Sequence, residues 1–364
     1  MNHFDQISAQ LKAHDLDAVL LTGQSNRFYA SGFFTPGGDA TVLVTPKSSY
    51  FFTDARYTEA ASRALGKTAN LRELTPENRL TVQLRELFFR HAVHRVGFED
   101  AALCVQDYER YRKAFAGFTP YCEMVPASEW LLDLRQSKDE NELAAMRTAQ
   151  GIAERALVDI LQEIRPGVTE KEIAARLQYL MLHYGASDMS FDPIVVSGVN
   201  GSLPHGVPSE KEIQTGEFVT MDFGCIYGGY CSDMTRTVAV GHATEEMRRV
   251  YETGLAAQAA GIAAAKAGVT GKIVDAAARD VIKSAGYGAY FTHSFGHGVG
   301  VDIHERPNLS AANDKPLPAG AVVSAEPGIY IPGKLGVRIE DVLRITESGN
   351  ENLTKAPKEL LILS

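Results

Sequence analysis

Apolar positions divide the first third of the chain into short strands and helices that alternate. Phe4, Ile7 and Leu11 fall on one helical face, and residues 18–21 form a continuous apolar run that is typical of a buried strand. Four more strand patterns occupy residues 41–45, 50–53, 71–74 and 95–98, and helical patterns lie between them at 56–64, 76–91 and 106–115. We expect Thr75 to cap the helix over 76–91. This alternation predicts a small α/β domain.

A break in these patterns indicates a boundary between two domains. Residues 118–137 contain prolines and the single tryptophan, Trp130. Ser137 with Glu140 has the spacing of a capping box, so we expect a long helix to begin there. We therefore divide the chain into an N-terminal domain, residues 1–128, and a larger C-terminal domain, residues 129–364.

The C-terminal part contains an internal repeat. The triplet 167–169, Gly-Val-Thr, recurs at 268–270, and each copy opens an amphipathic helix that ends near a glycine. Residues 216–224 align with 320–328, and residues 229–233 align with 336–340. The repeat predicts an α+β domain of two pseudo-symmetric halves, in which Asp222 matches Glu326 and Asp233 matches Glu340.

The first pair of acids belongs to a predicted hairpin over residues 218–239. Gly228-Gly229 is a strong signal for a two-residue turn. With this turn, Asp222 faces Thr235, and Asp222 and Asp233 become diagonal neighbours on one face. An isolated pair of acids at this spacing most often belongs to a solvated hairpin, in which both carboxylates face water.

The second half makes a metal site the better interpretation. Glu326 and Glu340 each follow an apolar strand pattern, and buried acids need cationic partners. His297, between two glycines, adds an imidazole. Four carboxylates and one imidazole suit divalent ions, with Mn²⁺ favoured and Co²⁺, Fe²⁺ or Zn²⁺ as alternatives. Two such ions can hold a hydroxide between them and polarise a carbonyl, which is the chemistry of acyl hydrolysis.

Composition and charge narrow the classes of partner. The 364 residues carry 36 Lys and Arg against 45 Asp and Glu, a net charge of −9 that disfavours nucleic acid and anionic lipid. The N-terminus lacks the apolar segment of a signal peptide, and no apolar run reaches membrane-spanning length. The four cysteines form no CxxC pair. We therefore expect a cytoplasmic protein with reduced cysteines and no nucleic-acid or membrane partner.

The five residues and their neighbours resemble the metal ligands of the pita-bread metallopeptidases. They lie in the segments MDFG, SDMTRT, GHGVG, AEPGIY and VRIED. The N-terminal part is similar to the domain that precedes the catalytic one in aminopeptidase P, prolidase and creatinase, on the segments SNRFY and DARY. In the second of these, Asp54 and Arg56 could fix a turn or touch substrate. The resemblance implies a pita-bread catalytic domain after a creatinase-like α/β domain, in a homodimer.

The resemblance also implies a role for each site residue. Asp222 would bind one metal ion, His297 and Glu326 the other, and Asp233 and Glu340 would bridge both. Glu326 would also shuttle the proton. The remaining residues match family positions outside the ligand set: His205 and His304 would hold substrate and stabilise the oxyanion, His293 would line the leaving-group pocket, and Tyr330 and Arg338 would brace the ligands.

The resemblance implies an Xaa-Pro aminopeptidase, which would cleave the bond between an N-terminal residue and proline by means of a metal-bridged hydroxide. Its substrates would be peptides with proline in the second position. The alternative of the same class is an Xaa-Pro dipeptidase, or prolidase. Alternatives of another class are a metal-free creatinase-like hydrolase and a non-catalytic binding protein with the same fold.

Overall fold

Two units make up the chain in the computed structural model, which describes residues 2–119 and 121–364. The first unit ends at Leu134 and the second begins at Arg135. The helices of the first unit are α1 (Phe4–Leu11), α2 (Gln24–Ser31), α3 (Thr58–Leu65), α4 (Leu80–His91), α5 (Val105–Ala116) and α6 (Ser128–Leu134). Its strands are β1 (Ala18–Leu21), β2 (Ala40–Val44), β3 (Ser49–Thr53), β4 (Asn70–Glu73), β5 (Arg95–Phe98) and β6 (Glu123–Pro126).

The strands of the first unit form one mixed sheet in the order β4-β3-β2-β1-β5-β6. Strand β1 runs antiparallel to β2 and parallel to β5. All four residues of β1 are buried because apolar clusters cover both faces of the sheet. The predicted alternation of strands and helices is confirmed.

Helix α4 begins later than predicted. The Asn78 amide donates to the backbone carbonyl and to Oγ1 of Thr75, so residues 75–78 close a turn of their own. Thr75 therefore caps this turn, and the helix starts at Leu80. In the DARY segment, the Arg56 guanidinium donates to both carboxylate oxygens of Asp54 at 2.9 and 2.7 Å, which is a local contact at the surface.

The second unit holds longer helices and many short strands. Its helices are α7 (Glu140–Ile160), α8 (Glu170–His183), α9 (Glu245–Ala264) and α10 (Gly271–Ser284). The strands before α9 are β7 (Asp188–Met189), β8 (Ile194–Ser197), β9 (Phe218–Phe223), β10 (Cys225–Tyr227), β11 (Tyr230–Cys231) and β12 (Met234–Val240). Those after α10 are β13 (Gly296–Gly298), β14 (Glu305–Leu309), β15 (Val322–Ala325), β16 (Gly328–Ile331), β17 (Leu335–Arg338), β18 (Asp341–Ile345), β19 (Asn350–Asn352) and β20 (Ile362–Leu363).

The two halves of the second unit repeat one arrangement of helices on a sheet. The first half packs α7 and α8 on a sheet of order β20-β12-β9-β8, and the second packs α9 and α10 on one of order β14-β13-β15-β18-β19. Thr169 caps α8 and Thr270 caps α10. Gly167 donates to the Ile213 carbonyl and Gly268 to the Leu317 carbonyl, so the predicted repeat is confirmed at the level of single hydrogen bonds.

Helix α7 is capped by a residue other than the predicted one. Asp139 accepts hydrogen bonds from the amides of Asn141 and Glu142, and Glu142 completes the capping box. Ser137 instead forms a β-bridge with Ala321. The prediction of Ser137 as the cap is wrong because this bridge holds its backbone in an extended conformation. No helix among the described residues is long and apolar enough to cross a lipid bilayer.

Candidate metal centre

The hairpin of β9 and β12 positions the first two acids. Tyr227 pairs with Tyr230 across Gly228-Gly229, whose φ angles of 58° and 82° meet the requirement of the turn for positive φ. Asp222 lies opposite Thr235, as predicted, and Asp233 directly precedes β12. The predicted register is confirmed, and both acids lie at the same end of the hairpin.

The two glutamates of the second half face each other across an antiparallel pair. Ala325 pairs with Asp341 on one side of them, and Gly328 pairs with Arg338 on the other. The register is the same on both sides, so Glu326 and Glu340 lie opposite each other. Glu340 is 1% exposed.

The halves meet where β12 passes the segment that carries Glu340. Thr235 Oγ1 donates to Glu340 Oε2 at 2.7 Å, and the Glu340 amide donates to the Thr235 carbonyl at 3.1 Å. Thr237 Oγ1 donates to the Arg338 carbonyl at 2.9 Å. These contacts bring together one acid from each half: the ligand atoms of Asp233, His297 and Glu340 all lie within 4.8 Å of one another.

His297 reaches the acids from strand β13. Its Nδ1 lies 3.0 Å from the Gly298 carbonyl and donates to it, so in the neutral ring Nε2 carries the lone pair and lies beside the acids. That Nε2 lies 3.5 Å from Asp233 Oδ2 and 3.3 Å from Glu326 Oε1. Burial lowers the pKa of His297, which favours the neutral ring at pH 7.

Burial and mutual repulsion oppose ionisation of these acids in the absence of a cation. Burial, with the charges of Asp222 and Glu326, raises the pKa of Asp233 well above its usual range. Burial and the same group of acids raise the pKa of Glu340 in the same direction. Burial also raises the pKa of Glu326 to about 7. The group therefore needs positive charge to be fully ionised.

The donor set fits divalent ions. Asp222 Oδ2 accepts from Arg338 Nη2 at 2.6 Å, and Glu340 Oε2 accepts from Thr235. The other oxygen of each, Asp222 Oδ1 and Glu340 Oε1, is buried without a hydrogen-bond partner among the described residues. Each carboxylate thus offers one oriented, unpaired oxygen, which a cation can satisfy.

These groups line a cavity of about 530 Å³ within the second unit. Its wall also includes three histidines outside the cluster of acids: His205, His293 and His304. The His304 ring lies 4.3 Å from that of His297, centroid to centroid. Burial lowers the pKa of His304 below its usual value and the pKa of His293 to about 4.

A chain of hydrogen bonds links Asp222 to one of these histidines. Arg338 donates to Asp222 and, through Nη1, to the Tyr330 hydroxyl at 2.8 Å. The Tyr330 hydroxyl lies 2.9 Å from His293 Nε2 and donates to it, because His293 Nδ1 donates to the Ser294 carbonyl. Tyr330 therefore acts on the acids through Arg338.

Two polar contacts of the centre were missed by the sequence analysis. Thr235 holds Glu340, and Ser324 Oγ donates to Glu326 Oε1 at 3.1 Å while accepting the His297 amide. Thr235 follows Asp233 by two residues, and Ser324 precedes Glu326 by two. Because side chains two apart in a strand share a face, the period-2 pattern could have revealed both residues.

Comparison with known proteins finds a family model for each of the two parts of the chain. Residues 144–347 match the model of metallopeptidase family M24, and residues 4–137 match the creatinase/prolidase N-terminal domain. An Xaa-Pro dipeptidase of Pyrococcus horikoshii is 34% identical over 348 residues, which are 96% of this chain and 95% of that protein.

Solved structures of similar proteins match the fold of this chain over nearly its full length. An Xaa-Pro dipeptidase from Bacillus anthracis has a TM-score of 0.92 at 40% identity and covers 99% of both chains. An X-Pro aminopeptidase from Thermotoga maritima has a TM-score of 0.90 at 35% identity and covers 100% of both. These similarities confirm the fold class predicted from the sequence.

Proposed function

The chain belongs to metallopeptidase family M24, and from this membership we propose that it is an exopeptidase that hydrolyses the bond between an N-terminal residue and proline. One observation supports the proposal most: four carboxylates and a neutral imidazole converge on the wall of a cavity, and two of the carboxylates present a buried oxygen without a hydrogen-bond partner among the described residues. Such a site can hold divalent ions next to a bound peptide.

Five side chains would hold two ions in this proposal. Asp222 would bind one ion, His297 and Glu326 the other, and Asp233 and Glu340 both. When bound, divalent ions supply Lewis-acid activation of water and of the scissile carbonyl. Arg338 and Thr235 would keep Asp222 and Glu340 aimed at them, since each already fixes one carboxylate oxygen.

The remaining side chains would handle the proton and the substrate. Glu326 would take a proton from the attacking water and pass it to the proline nitrogen, which has no hydrogen of its own in the peptide. His205 and His304 would stabilise negative charge on the carbonyl oxygen. His293, braced by Tyr330, would contact the leaving group.

Charge in the cavity favours an aminopeptidase. Arg338 is the only Arg or Lys among the described residues of the cavity wall, and it already binds Asp222 and Tyr330. The lowered pKa values of His293 and His304 leave these rings neutral at pH 7. The free C-terminal carboxylate of a dipeptide would therefore enter without a dedicated cation, whereas a longer peptide places its carboxylate farther out.

The second candidate is an Xaa-Pro dipeptidase. Similarity to the proteins of that name from Pyrococcus horikoshii and Bacillus anthracis favours it.

We further propose Mn²⁺ as the bound ion, because the donors are mainly carboxylates, and a homodimer as the assembly. Sedimentation of the purified protein tests the dimer, since a single species of 39.6 kDa would contradict it.

Peptide hydrolysis tests the proposed function. The Mn²⁺-loaded protein is assayed on Ala-Pro, Ala-Pro-Ala and the control Ala-Ala-Ala at matched concentrations. We expect release of alanine from Ala-Pro-Ala, less from Ala-Pro and least from Ala-Ala-Ala. Cleavage restricted to Ala-Pro would favour the dipeptidase, and inertness toward both proline peptides would contradict the proposal.

A further inference from the structure

Glu170 is a fully buried carboxylate outside the metal centre. It is the first residue of α8 and is 0% exposed. Oε1 accepts from the amide and hydroxyl of Ser197 at 2.6 and 2.9 Å, and Oε2 accepts from the amide and hydroxyl of Ser209 at 3.1 and 2.6 Å. Asn200 Nδ2 lies between, 3.1 and 3.2 Å from the two oxygens. All partners are neutral donors.

These three partners mark the two ends and the interior of one loop. Ser197 ends β8, Asn200 lies in the 3₁₀ turn Gly198–Ser202, and Ser209 closes the loop. Pro204 and His205, which line the cavity, lie between the second and third partners. A single carboxylate therefore ties both ends of the loop that presents His205 to the substrate cavity.

Three hydrophobic side chains of the loop lie mainly in solvent: Val199, Leu203 and Val207 are 51%, 56% and 82% exposed. His205 is itself exposed and makes no hydrogen bond to another described residue. Because neither burial nor a contact of the ring fixes His205, its position depends on polar attachments of the backbone.

The second half of the repeat holds its own histidine loop in another way. Gly271 occupies the position of Glu170, and a Cβ there would lie 2.3 Å from the Asn308 carbonyl. The loop with His304 is instead followed by Glu305, which accepts from Arg135 at 2.5 Å and Lys138 at 2.6 Å. The Glu170 attachment is therefore a feature of the His205 half alone.

We propose that Glu170 is a positioning residue that fixes loop 198–209 so that His205 meets the substrate. The proposal rests on the function proposed above. A carboxylate accepts from all of these donors, whereas a glutamine in its place turns an NH₂ group toward two or three of them. We expect Glu170→Gln to lower kcat by ~10- to 100-fold, with bound metal unchanged.

A double-mutant cycle tests this role. Glu170→Gln, His205→Ala and the double variant are compared for kcat on Ala-Pro-Ala, and metal content is measured for each. We expect the double variant to be no slower than His205→Ala, because Glu170 acts through His205. Independent, multiplicative losses would overturn the proposal, since they would show that Glu170 supports the fold in general.

Glu172→Gln is the matched control. Glu172 lies in the same first turn of α8 but is exposed, and among the described residues its carboxylate hydrogen-bonds to Thr169 alone, through its capping box. We expect its kcat to match that of the unmodified protein. Should Glu170→Gln not fold, Asn200→Ala removes the interior attachment alone and enters the same cycle.

Hydrogen exchange separates this proposal from the proposed function. In the metal-loaded protein, Glu170→Gln should speed exchange of the Ser197 and Ser209 amides by at least ~10-fold and leave exchange in α10 unchanged. Unchanged exchange at both amides would contradict the positioning role. A protein inert toward proline peptides, but with faster exchange in the variant, would contradict only the peptidase assignment.

Discussion

The two halves of the second unit present their acids from different strand registers. In the first half, a two-residue turn leaves Asp222 and Asp233 diagonal to each other, with Asp222 opposite Thr235. In the second half, a three-residue loop at 332–334 places Glu326 directly opposite Glu340. A repeated backbone thus supplies four carboxylates from two registers, with the shorter side chain in one half and the longer in the other.

The halves also differ in whether they supply an imidazole. Ser197 pairs with Val219, and Gly298 pairs with the aligned Val323. His297, one residue before Gly298, therefore takes the place of Val196, which is buried and apolar. The imidazole thus comes from the second half alone.

The largest expected effect comes from removing an acid where the halves meet. Asp233→Ala and Glu340→Ala should each lower kcat by about 10³-fold or more, because both ions would lose a shared ligand. The fold should persist, since each change relieves repulsion among buried acids. Activity assays with thermal unfolding check both points.

Exposed Glu347 supplies the control for these variants. Glu347→Ala should keep full activity and the melting temperature of the unmodified protein. Turnover like that of the unmodified protein in Asp233→Ala or Glu340→Ala would remove these residues from the centre.

An effect of intermediate size is expected when the residue that holds one acid of each half is replaced. Asp222 is held by the charged Arg338, and Glu340 by the neutral Thr235. Arg338→Met should weaken metal affinity by ~100-fold and Thr235→Val by ~10-fold, because a hydrogen bond between two charged groups is stronger than one from a neutral hydroxyl. Competition with a metal-binding dye measures both. Equal affinities in the two variants would show that the halves are supported alike.

The smallest effect concerns the two turns. Gly228 and Gly333 have φ angles of 58° and 70°, which strain any residue with a Cβ. Gly228→Ala and Gly333→Ala should each lower the free energy of unfolding by about 1 kcal/mol, with metal content unchanged. Gly349→Ala, in open space without a positive φ, is the control for urea unfolding. A loss of bound metal in either turn variant would contradict the expectation that the turns affect stability without affecting the metal centre.

Local signals explain what the sequence predicted well. A two-residue turn at Gly228-Gly229 allows one pairing of the flanking strands and so determines the register of the hairpin. Each Gly-Val-Thr triplet ends in the threonine that caps the following helix. The cap of α7 gives such a signal too, because Asp139 and Glu142 have the spacing of a capping box, and the sequence analysis overlooked it. The cap of α2 was beyond such signals. Glu99 accepts from the amides of Thr22 and Gly23 ahead of α2, a contact across more than 70 residues.

For the same reason, the hydrogen bonds that hold the acids of the metal centre could be predicted only in part from the sequence. Arg338 was expected near the acids, but its bonds to Asp222 and Tyr330 join different strands, which only the folded chain shows. Glu170 was missed because its partners lie 27 to 39 residues away. Spacing along the chain does not reveal which side chains will share a buried carboxylate.

The most direct test is a count of bound metal combined with activity after chelation. The protein is dialysed against a strong chelator, assayed on Ala-Pro-Ala and titrated with Mn²⁺ while bound ions per chain are measured. We expect activity to vanish and then to return as two ions bind to each chain. Full activity in thoroughly metal-free protein would contradict the account and favour a metal-free hydrolase with the same fold.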